Sequence, residues 1–467
     1  MQMLRRLYDP QYMIREDQKK GEIPGARALY GTVMGVAWAS IVETLLIAMM
    51  AMVGTVMVSV VGEQAIAAVG LVNQPRFVVQ CLVMALNVAV TAICARRRGE
   101  GDGDGAISCL KQGLILSIVS SIVLSALAYP FAEPFLRFTG AQDDTIGPAV
   151  TYFRILLIGL PFNSISLTIS AAQRGVGNTR ASMNINILAN IVNLILNYLL
   201  IGGHWGFPRL EVAGSAIATV IGWICGFVVA FISVGNRSHF LYLYTREGWR
   251  FDRRTLQAMY KVASGSFLEQ FCMRVGFFTY ARVIAGLGTM MFAAHQILIN
   301  LMSLSFSFGE GLGIASTSLV GQGLGAGRPD LSIIYGKACQ RLSFVSSTIL
   351  FIFFAFLGRP MLHLFTQSAE IIAVGGVIMY IIGVIIYGQS GQMILMGGLR
   401  GAGDTRYIAI LSLFSIMLLR PAIAYVMAYP MGWGLVGAWM GFLADQYIRL
   451  IFTYRRFSSG KWMKIKL

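Results

Sequence analysis

Two octapeptides decide the fold of this chain: QRGVGNTR at residues 173–180 and LRGAGDTR at residues 399–406. They lie 226 residues apart, and the same offset relates Glu43 to Glu269. No insertion is needed to keep this register from residue 36 to residue 180. Chance identities would not hold one register over five helices, so we read the chain as one sequence repeated twice.

Composition places this repeat in a membrane. Of the 467 residues 56% are hydrophobic and only 12% are charged, with a mean hydropathy of +0.68. In a soluble domain about a quarter of all residues are charged. A membrane-spanning helix needs about 20 mainly apolar residues. Runs of that kind include residues 107–131, 181–201, 212–234, 336–357 and 408–428.

We therefore predict an all-α polytopic membrane protein with twelve transmembrane helices in two parallel-repeat six-helix bundles. Six spans per half is an even number, so both halves enter the membrane from the same side. Transporters built this way hold the substrate between the halves and rock one against the other. The predicted parts are an N-terminal tail (1–30), an N-lobe with helices 1–6 (31–235), an inter-lobe linker (236–260), a C-lobe with helices 7–12 (261–454) and a basic tail (455–467).

The net charge of +16 is distributed unevenly along the chain. Most Lys and Arg lie in the two tails and in the loops on one predicted side, which is the positive-inside pattern and argues against nucleic-acid binding. It predicts that both tails and the linker are cytoplasmic. Residues 1–20 are polar and lack the apolar core of a cleavable signal. We expect a monomer in the plasma (inner) membrane, surrounded by lipid.

The sequence offers no catalytic or metal-binding pattern. Its six cysteines form no CxxC pair, and its four histidines show no metal spacing. The glycine-rich stretch at 321–330 lacks the Lys-Ser/Thr of a phosphate-binding loop, so we interpret it as a helix-ending turn. We expect a protein that is not an enzyme and needs no cofactor or structural metal.

Ionisable side chains inside apolar helices are costly and are functional candidates by default. The acids are Glu43, Glu269 and Glu310, together with Asp445, which is four residues from Arg449 on helix 12 and predicts a pair within that helix. A structural ion pair with a helix arginine is the alternative for each glutamate. The cationic candidates for the cavity are Arg76, Arg274, Arg282 and Arg420.

Glu269 lies deep in the apolar run of residues 262–278. Little water around a carboxylate favours its protonated form, which makes proton binding a readily switched event. Arg274 lies about 140° away around the same helix and is a poor partner for it. Another helix could supply an ionic partner for Glu269.

Four stretches of this chain resemble the MATE family of multidrug and toxin exporters. Residues 319–330 are similar to the family's signature after helix 8, and residues 398–406 to the one after helix 10. Residues 293–296 and 449–462 resemble the start of its eighth helix and its C-terminal tail. The resemblance implies a two-lobed antiporter that exports organic, often cationic amphiphiles against an inward flow of protons or sodium ions.

The resemblance also implies site residues. Glu269 matches a helix-7 glutamate of NorM-type members, with any coupling sodium ion near it, and Glu43 is its repeat mate. Other ion-coupling or substrate positions of the family hold different residues here. Gln389 takes the place of the NorM-type aspartate of helix 10. Asn197 takes the place of the DinF-type aspartate of helix 5, whereas the family's asparagine one turn earlier is kept as Asn193. Gly54 replaces a DinF-type aspartate of helix 1, and Arg96 replaces a glutamine.

The alternative function is a flippase for a lipid-linked precursor, since such proteins share the two-lobed architecture. A flippase of that kind would grip a pyrophosphate with a cationic cavity, and the four intramembrane arginines keep this hypothesis open. A membrane-embedded enzyme or a non-transporting receptor has no supporting pattern in the sequence.

Overall fold

A computed structural model describes residues 8–139, 141–236, 239–243, 249, 251–465 and 467. Over these residues the chain forms twelve long helices, which confirms the predicted all-α fold. A seven-residue helix, Ala132–Phe138, lies between α3 and α4. The long helices are α1 Ala26–Ser59, α2 Glu63–Glu100, α3 Gly103–Ala128, α4 Ile146–Gly175, α5 Thr179–Gly202, α6 Glu211–Ser233, α7 Arg253–Ala285, α8 Thr289–Gly325, α9 Pro329–Phe365, α10 Ala369–Gly401, α11 Thr405–Ala428 and α12 Gly434–Ser458.

Ten of these twelve helices are long and apolar enough to cross a membrane. The other two, α7 and α12, each carry an acid with an arginine four or five residues later, Glu269 with Arg274 and Asp445 with Arg449. Charged side chains lower the apolarity of a helix. The helices that hold the other singled-out charges, Glu43, Arg76, Glu310 and Arg420, are among the ten.

The two octapeptides adopt the same helix-ending turn. Gly177 and Gly403 have φ angles of 87° and 84°, a left-handed conformation that glycine adopts without steric cost. In both turns the residue after the glycine donates its backbone N–H to the carbonyl five residues earlier, at 2.8 Å. This bond satisfies a carbonyl that the end of the helix would leave unpaired.

The repeat extends to the packing of helices within each half. The Thr91 hydroxyl of α2 donates to a carbonyl of α4 at 3.0 Å, and the Thr317 hydroxyl of α8 donates to a carbonyl of α10 at 2.9 Å. A Cβ atom added to Gly175 would lie 2.6 Å from the carbonyl oxygen of Thr91. A Cβ atom added to Gly401 would likewise collide with the carbonyl oxygen of Thr317. Both halves therefore need glycine where these helices touch.

The chain divides into two compact units. The C-terminal unit comprises Met1–Thr44 and Ser264–Leu467, and the N-terminal unit comprises Leu45–Ala263. This division falls inside α1 and α7, unlike the predicted lobes at 31–235 and 261–454. The boundary falls inside α1 because the first part of this helix packs on α8. The Thr44 hydroxyl donates there to the Ser307 carbonyl at 2.9 Å.

The predicted linker and tails are shorter than expected because helices extend into them. α7 begins at Arg253, within the predicted linker 236–260, because the Asp252 carboxylate caps it and accepts from the Thr255 N–H at 3.0 Å and hydroxyl at 2.6 Å. The Thr255 hydrogen bonds lower the pKa of Asp252. α1 begins inside the predicted N-terminal tail and α12 ends inside the basic one. Linker residues 237, 238, 244–248 and 250 lie outside the described residues.

Both tails pack against the C-terminal unit. Met13 and Trp462 are buried in one apolar cluster with residues of α1, α8, α9 and α10. Lys337 on α9 donates to the Met13 carbonyl at 2.6 Å. In the turn before α9, hydrogen bonding to the Asp330 carboxylate raises the pKa of Arg328. The tails are thus part of the core at this end of the unit.

Candidate functional site

Glu269 on α7 is buried in the C-terminal unit, with 1% of the residue exposed. Its carboxylate accepts from Arg400, in the last turn of α10, through Nε at 3.3 Å and through a terminal nitrogen. Two parallel bonds between a guanidinium and a carboxylate form a strong and directional pair. The partner thus comes from another helix, and the structure shows the ion-pair arrangement that the sequence left open as an alternative.

Further charges surround this pair. Glu310 on α8 lies within electrostatic range of Arg400, and Arg449 on α12 within that of Glu269. Glu310 is exposed on the surface of its unit. The pair is therefore one part of a larger network of charges that four helices contribute.

Asp445 forms the second part of this network. Its carboxylate accepts from Arg420 through Nε at 3.1 Å and through a terminal nitrogen, from Arg449 at 2.9 Å, and from the Ser415 hydroxyl. The pair predicted within helix 12 is confirmed, and a second arginine joins it. Arg420 is buried with its guanidinium 4.3 Å from the centre of the Phe442 ring.

A π-helical segment explains how two residues of α11, Ser415 and Arg420, both reach the Asp445 carboxylate. Residues Leu413–Leu419 form π-helix immediately before Arg420 and Pro421. Five residues of ordinary α-helix would place Ser415 and Arg420 about 140° apart. The wider π turn brings them toward one face, and π segments often occur at functional sites.

Gln389 on α10 is a buried polar residue one turn from a hydrogen bond between α10 and α12. It is fully buried, and neither atom of its side-chain amide has a hydrogen-bond partner among the described residues. Nearby, Gln392 donates to Gln446 of α12 at 3.4 Å. On α12, Gln446 follows Asp445 directly and lies three residues before Arg449. The bond between Gln392 and Gln446 therefore adjoins the charged network.

The N-terminal unit brings the predicted asparagines together. Asn197 donates to the Asn193 side-chain oxygen at 3.1 Å, and Asn193 donates to the Thr219 hydroxyl of α6 at 3.1 Å. Asn197 is only 3% exposed, and its own side-chain oxygen has no partner among the described residues. The two asparagines therefore begin a hydrogen-bonded chain from α5 to α6.

Arg76 on α2 lies in the same unit and is half-buried. Its guanidinium carbon is 5.5 Å from the centre of the Trp223 ring of α6, a cation–π arrangement. It interacts electrostatically with Tyr152 of α4, whose hydroxyl interacts with that of Thr219. Arg76 thus adjoins the asparagine chain.

The remaining predicted residues differ in how deeply they are buried. Glu43 is 2% exposed on the part of α1 that belongs to the C-terminal unit. Arg274 is half-buried on α7, and Arg282 is exposed near the end of that helix.

Sequence reasoning missed several side chains of these sites. Arg400 carries a signal only as part of the octapeptide at 399–406, where it is the repeat mate of Arg174 at the end of an apolar helix. Tyr152, Thr219 and Trp223 carried no signal, because uncharged polar and aromatic residues are common in membrane helices.

Comparison with known proteins agrees with the repeat and the fold. The family model MatE matches this chain twice, over residues 39–199 and 266–426. The chain is 31% identical over 409 residues to a probable multidrug resistance protein NorM of Thermotoga maritima, which covers 86% of each chain. It is 28% identical over 383 residues to the multidrug resistance protein PmpM of Pseudomonas aeruginosa, which covers 78% of this chain and 77% of PmpM.

Solved structures share the fold at 20% sequence identity. An outward-facing multidrug resistance MATE family transporter of the MOP superfamily superposes with a TM-score of 0.85 over 98% of both chains. A MOP superfamily transporter from Pyrococcus furiosus, described as having a binding pocket of reverse polarity, also gives a TM-score of 0.85, over 100% of this chain and 99% of that one. The chain therefore belongs to the MATE family, as a multi-pass membrane transporter for multidrug efflux and not an enzyme.

Proposed function

We propose that this protein is a secondary active antiporter that exports organic cationic amphiphiles in exchange for protons or sodium ions. It would work by alternating access between two lobes in the plasma (inner) membrane, with both termini cytoplasmic. The multidrug resistance relatives and the bias of Lys and Arg toward the tails and the loops of one side support this proposal.

The observation that carries the proposal is the buried pair of Glu269 and Arg400. Arginine stays charged at any physiological pH, so the glutamate is the member that can change its state. A proton on Glu269 would neutralise the carboxylate and free the guanidinium of Arg400. A sodium ion would instead compete with Arg400 for the same oxygens. Either event changes the charge at a buried carboxylate, where such a change has a larger energetic effect than at an exposed one.

The wider network explains how one binding event could reach several helices. Three carboxylates and three guanidinium groups balance one another in the C-terminal unit. Breaking a buried pair by removing one partner typically costs about 3–5 kcal/mol, because the other charge remains buried. Neutralising Glu269 would therefore favour a rearrangement of α7 against α10 and α12. The members are Glu269, Glu310, Asp445, Arg400, Arg420 and Arg449.

A flippase for a lipid-linked precursor is the second candidate function. The observation that favours it is Arg76, a half-buried guanidinium without an acidic partner among the described residues. An unpaired cation in an apolar helix can hold a phosphate group.

Accumulation of ethidium in cells that lack their own multidrug exporters tests the proposal. Expression of the chain should lower accumulation, and a protonophore or removal of sodium should abolish that effect. Efflux that persists after both gradients are collapsed would contradict antiport. The flippase would leave ethidium accumulation unchanged and would be detected by translocation of an undecaprenyl-pyrophosphate probe in proteoliposomes.

A further inference from the structure

Arg76 differs from the buried arginines of the C-terminal unit because it has no acidic partner. Within the described residues it makes no salt bridge, and its Nε atom has no hydrogen-bond partner. An intramembrane charge is costly and is normally paired. Arg76 is held instead by cation–π contact with Trp223 and, at 6.0 Å, with its neighbour Phe77.

The Trp223 and Phe77 rings lie close to the guanidinium but carry no countercharge. The guanidinium has five N–H donors in one plane. These donors match the two oxygens of a carboxylate or phosphate. Arg76 is half-buried as a residue, and its buried Nε atom has no hydrogen-bond partner among the described residues, so the guanidinium keeps an unused donor.

The surrounding polar groups form a site with both donors and acceptors. Tyr152 lies beside Arg76 and beside Thr219, which accepts from Asn193. At the end of this chain the side-chain oxygen of Asn197 is buried without a partner. That oxygen can accept a hydrogen bond from a ligand that also carries an amine or hydroxyl group.

We propose that the Arg76 pocket, defined as Arg76, Tyr152, Trp223, Thr219, Asn193 and Asn197, binds the oxyanion of an anionic or zwitterionic amphiphile. This inference rests on the proposed export function and extends its substrates beyond cations. The oxyanion pairs with the guanidinium edge, and a donor elsewhere on the ligand reaches the asparagine chain. The same chemistry would bind the carboxylate of a transported compound or the phosphate of a lipid headgroup.

The test is a binding measurement on the purified full-length chain in nanodiscs, without any ion gradient, so that it can succeed even where antiport fails. The probes are rhodamine B, which has a free carboxylate, and its ethyl ester, which lacks that charge. In nanodiscs of digalactosyldiacylglycerol, a neutral lipid without a phosphate, Arg76→Gln should weaken rhodamine B binding about tenfold or more and leave ester binding unchanged, because a hydrogen bond between charged groups is lost only for the first probe.

Arg154→Gln is the matched control. Arg154 is also half-buried in the N-terminal unit, with an unpartnered Nε and a tyrosine ring 5.1 Å away, but it lies over Tyr129 at another position. This variant should bind both probes as the unmodified chain does. Equal losses for both probes in Arg76→Gln, or no loss for either, would overturn the proposal and leave Arg76 structural.

Anionic lipid separates the two sources of the oxyanion. If a headgroup phosphate occupies the pocket, adding phosphatidylglycerol to the nanodiscs should weaken rhodamine B binding to the unmodified chain, and Arg76→Gln should remove that dependence. If the pocket serves carboxylates of transported compounds alone, rhodamine B binding should not respond to this lipid. Lipid competition that is unchanged in Arg76→Gln would place the competing phosphate elsewhere and contradict the proposal.

Discussion

The two halves of the repeat keep some intramembrane charges and differ in others. Glu269 and Arg400 have the repeat mates Glu43 and Arg174. At the same offset of 226, Arg420 corresponds to Leu194 and Arg76 to Met302. Arg420 pairs with Asp445, whereas Arg76 has no acidic partner among the described residues and lies 5.5 Å from the centre of the Trp223 ring. The repeat therefore retains the residue type at two charged positions and changes it at two others.

What the units do share is the geometry of close backbone contact. The turns at Gly177 and Gly403 and the packing of Gly175 and Gly401 are equivalent to within a few tenths of an ångström in their hydrogen bonds. These positions tolerate no other side chain, so they remain alike when the halves diverge. Side chains that line a site are not constrained by close backbone contact. We infer from their differences that the two halves have specialised.

The largest expected effect comes from the buried acid of the C-terminal unit. Asp445→Asn leaves Arg420 and Arg449 buried close together without a countercharge, and we expect it to destabilise the protein by about 3–5 kcal/mol. Thermal unfolding in detergent, followed by tryptophan fluorescence, measures the change. Asp143→Asn, which removes an exposed partner of Arg137, is the control and should change little. Equal melting temperatures for both variants would show that the network does not stabilise this unit.

The next effect tests the shared packing. Gly175→Ala and Gly401→Ala each place a Cβ against a carbonyl, and each should cost about 1–3 kcal/mol, as overpacking of a core does. Gly31→Ala, where an added Cβ meets no atom within 4 Å, is the control and should be neutral or slightly stabilising. The same melting assay applies. A marked difference between Gly175→Ala and Gly401→Ala would break the claim that both halves pack alike.

The smallest effect concerns the start of α7. Asp252→Ala removes a helix cap and should cost about 0.5–2 kcal/mol. Because hydrogen bonds from Thr255 lower the pKa of Asp252 in the folded protein, this contribution is present at neutral pH and is lost as the pH falls below the normal carboxylate range. The difference in melting temperature between the variant and the unmodified chain should therefore shrink on acidification. A constant difference from pH 7 to about pH 3 would contradict the assigned role of the carboxylate.

The sequence predicted the parts of this structure that depend on periodicity and local chemistry. Apolar length located the helices to within a few residues at α5 and α6, and the constant offset revealed the repeat. The glycine turns followed from the conformation that only glycine adopts easily. The pair of Asp445 and Arg449 followed from their spacing of four on one helix.

Features that depend on distant segments could not be predicted. Arg400 lies 131 residues from Glu269 and reaches it only when α7 packs on α10. The π-helical segment that directs Arg420 to Asp445 has no sequence pattern beyond Pro421. That Arg76 has no acidic partner among the described residues becomes visible only once the helices around it are in place. For the same reason the boundaries of the compact units within α1 and α7 could not be predicted.

The central claim is that Glu269 couples transport to an ion gradient, and transport by Glu269→Gln in proteoliposomes tests it most directly. The variant removes the charge that pairs with Arg400 and keeps the size of the side chain. With an imposed proton or sodium gradient, we predict that ethidium transport falls to the level measured without a gradient. Glu43→Gln, the same change in the other half of the repeat, should have a smaller effect if the two halves have specialised. Asp404→Asn, which removes another acid–arginine pair of the C-terminal unit at 2.7 Å from Arg456, is the control and should keep coupled transport. Rates for Glu269→Gln equal to those of the unmodified chain, with the same dependence on the gradient, would contradict the account and leave Glu269 a structural residue.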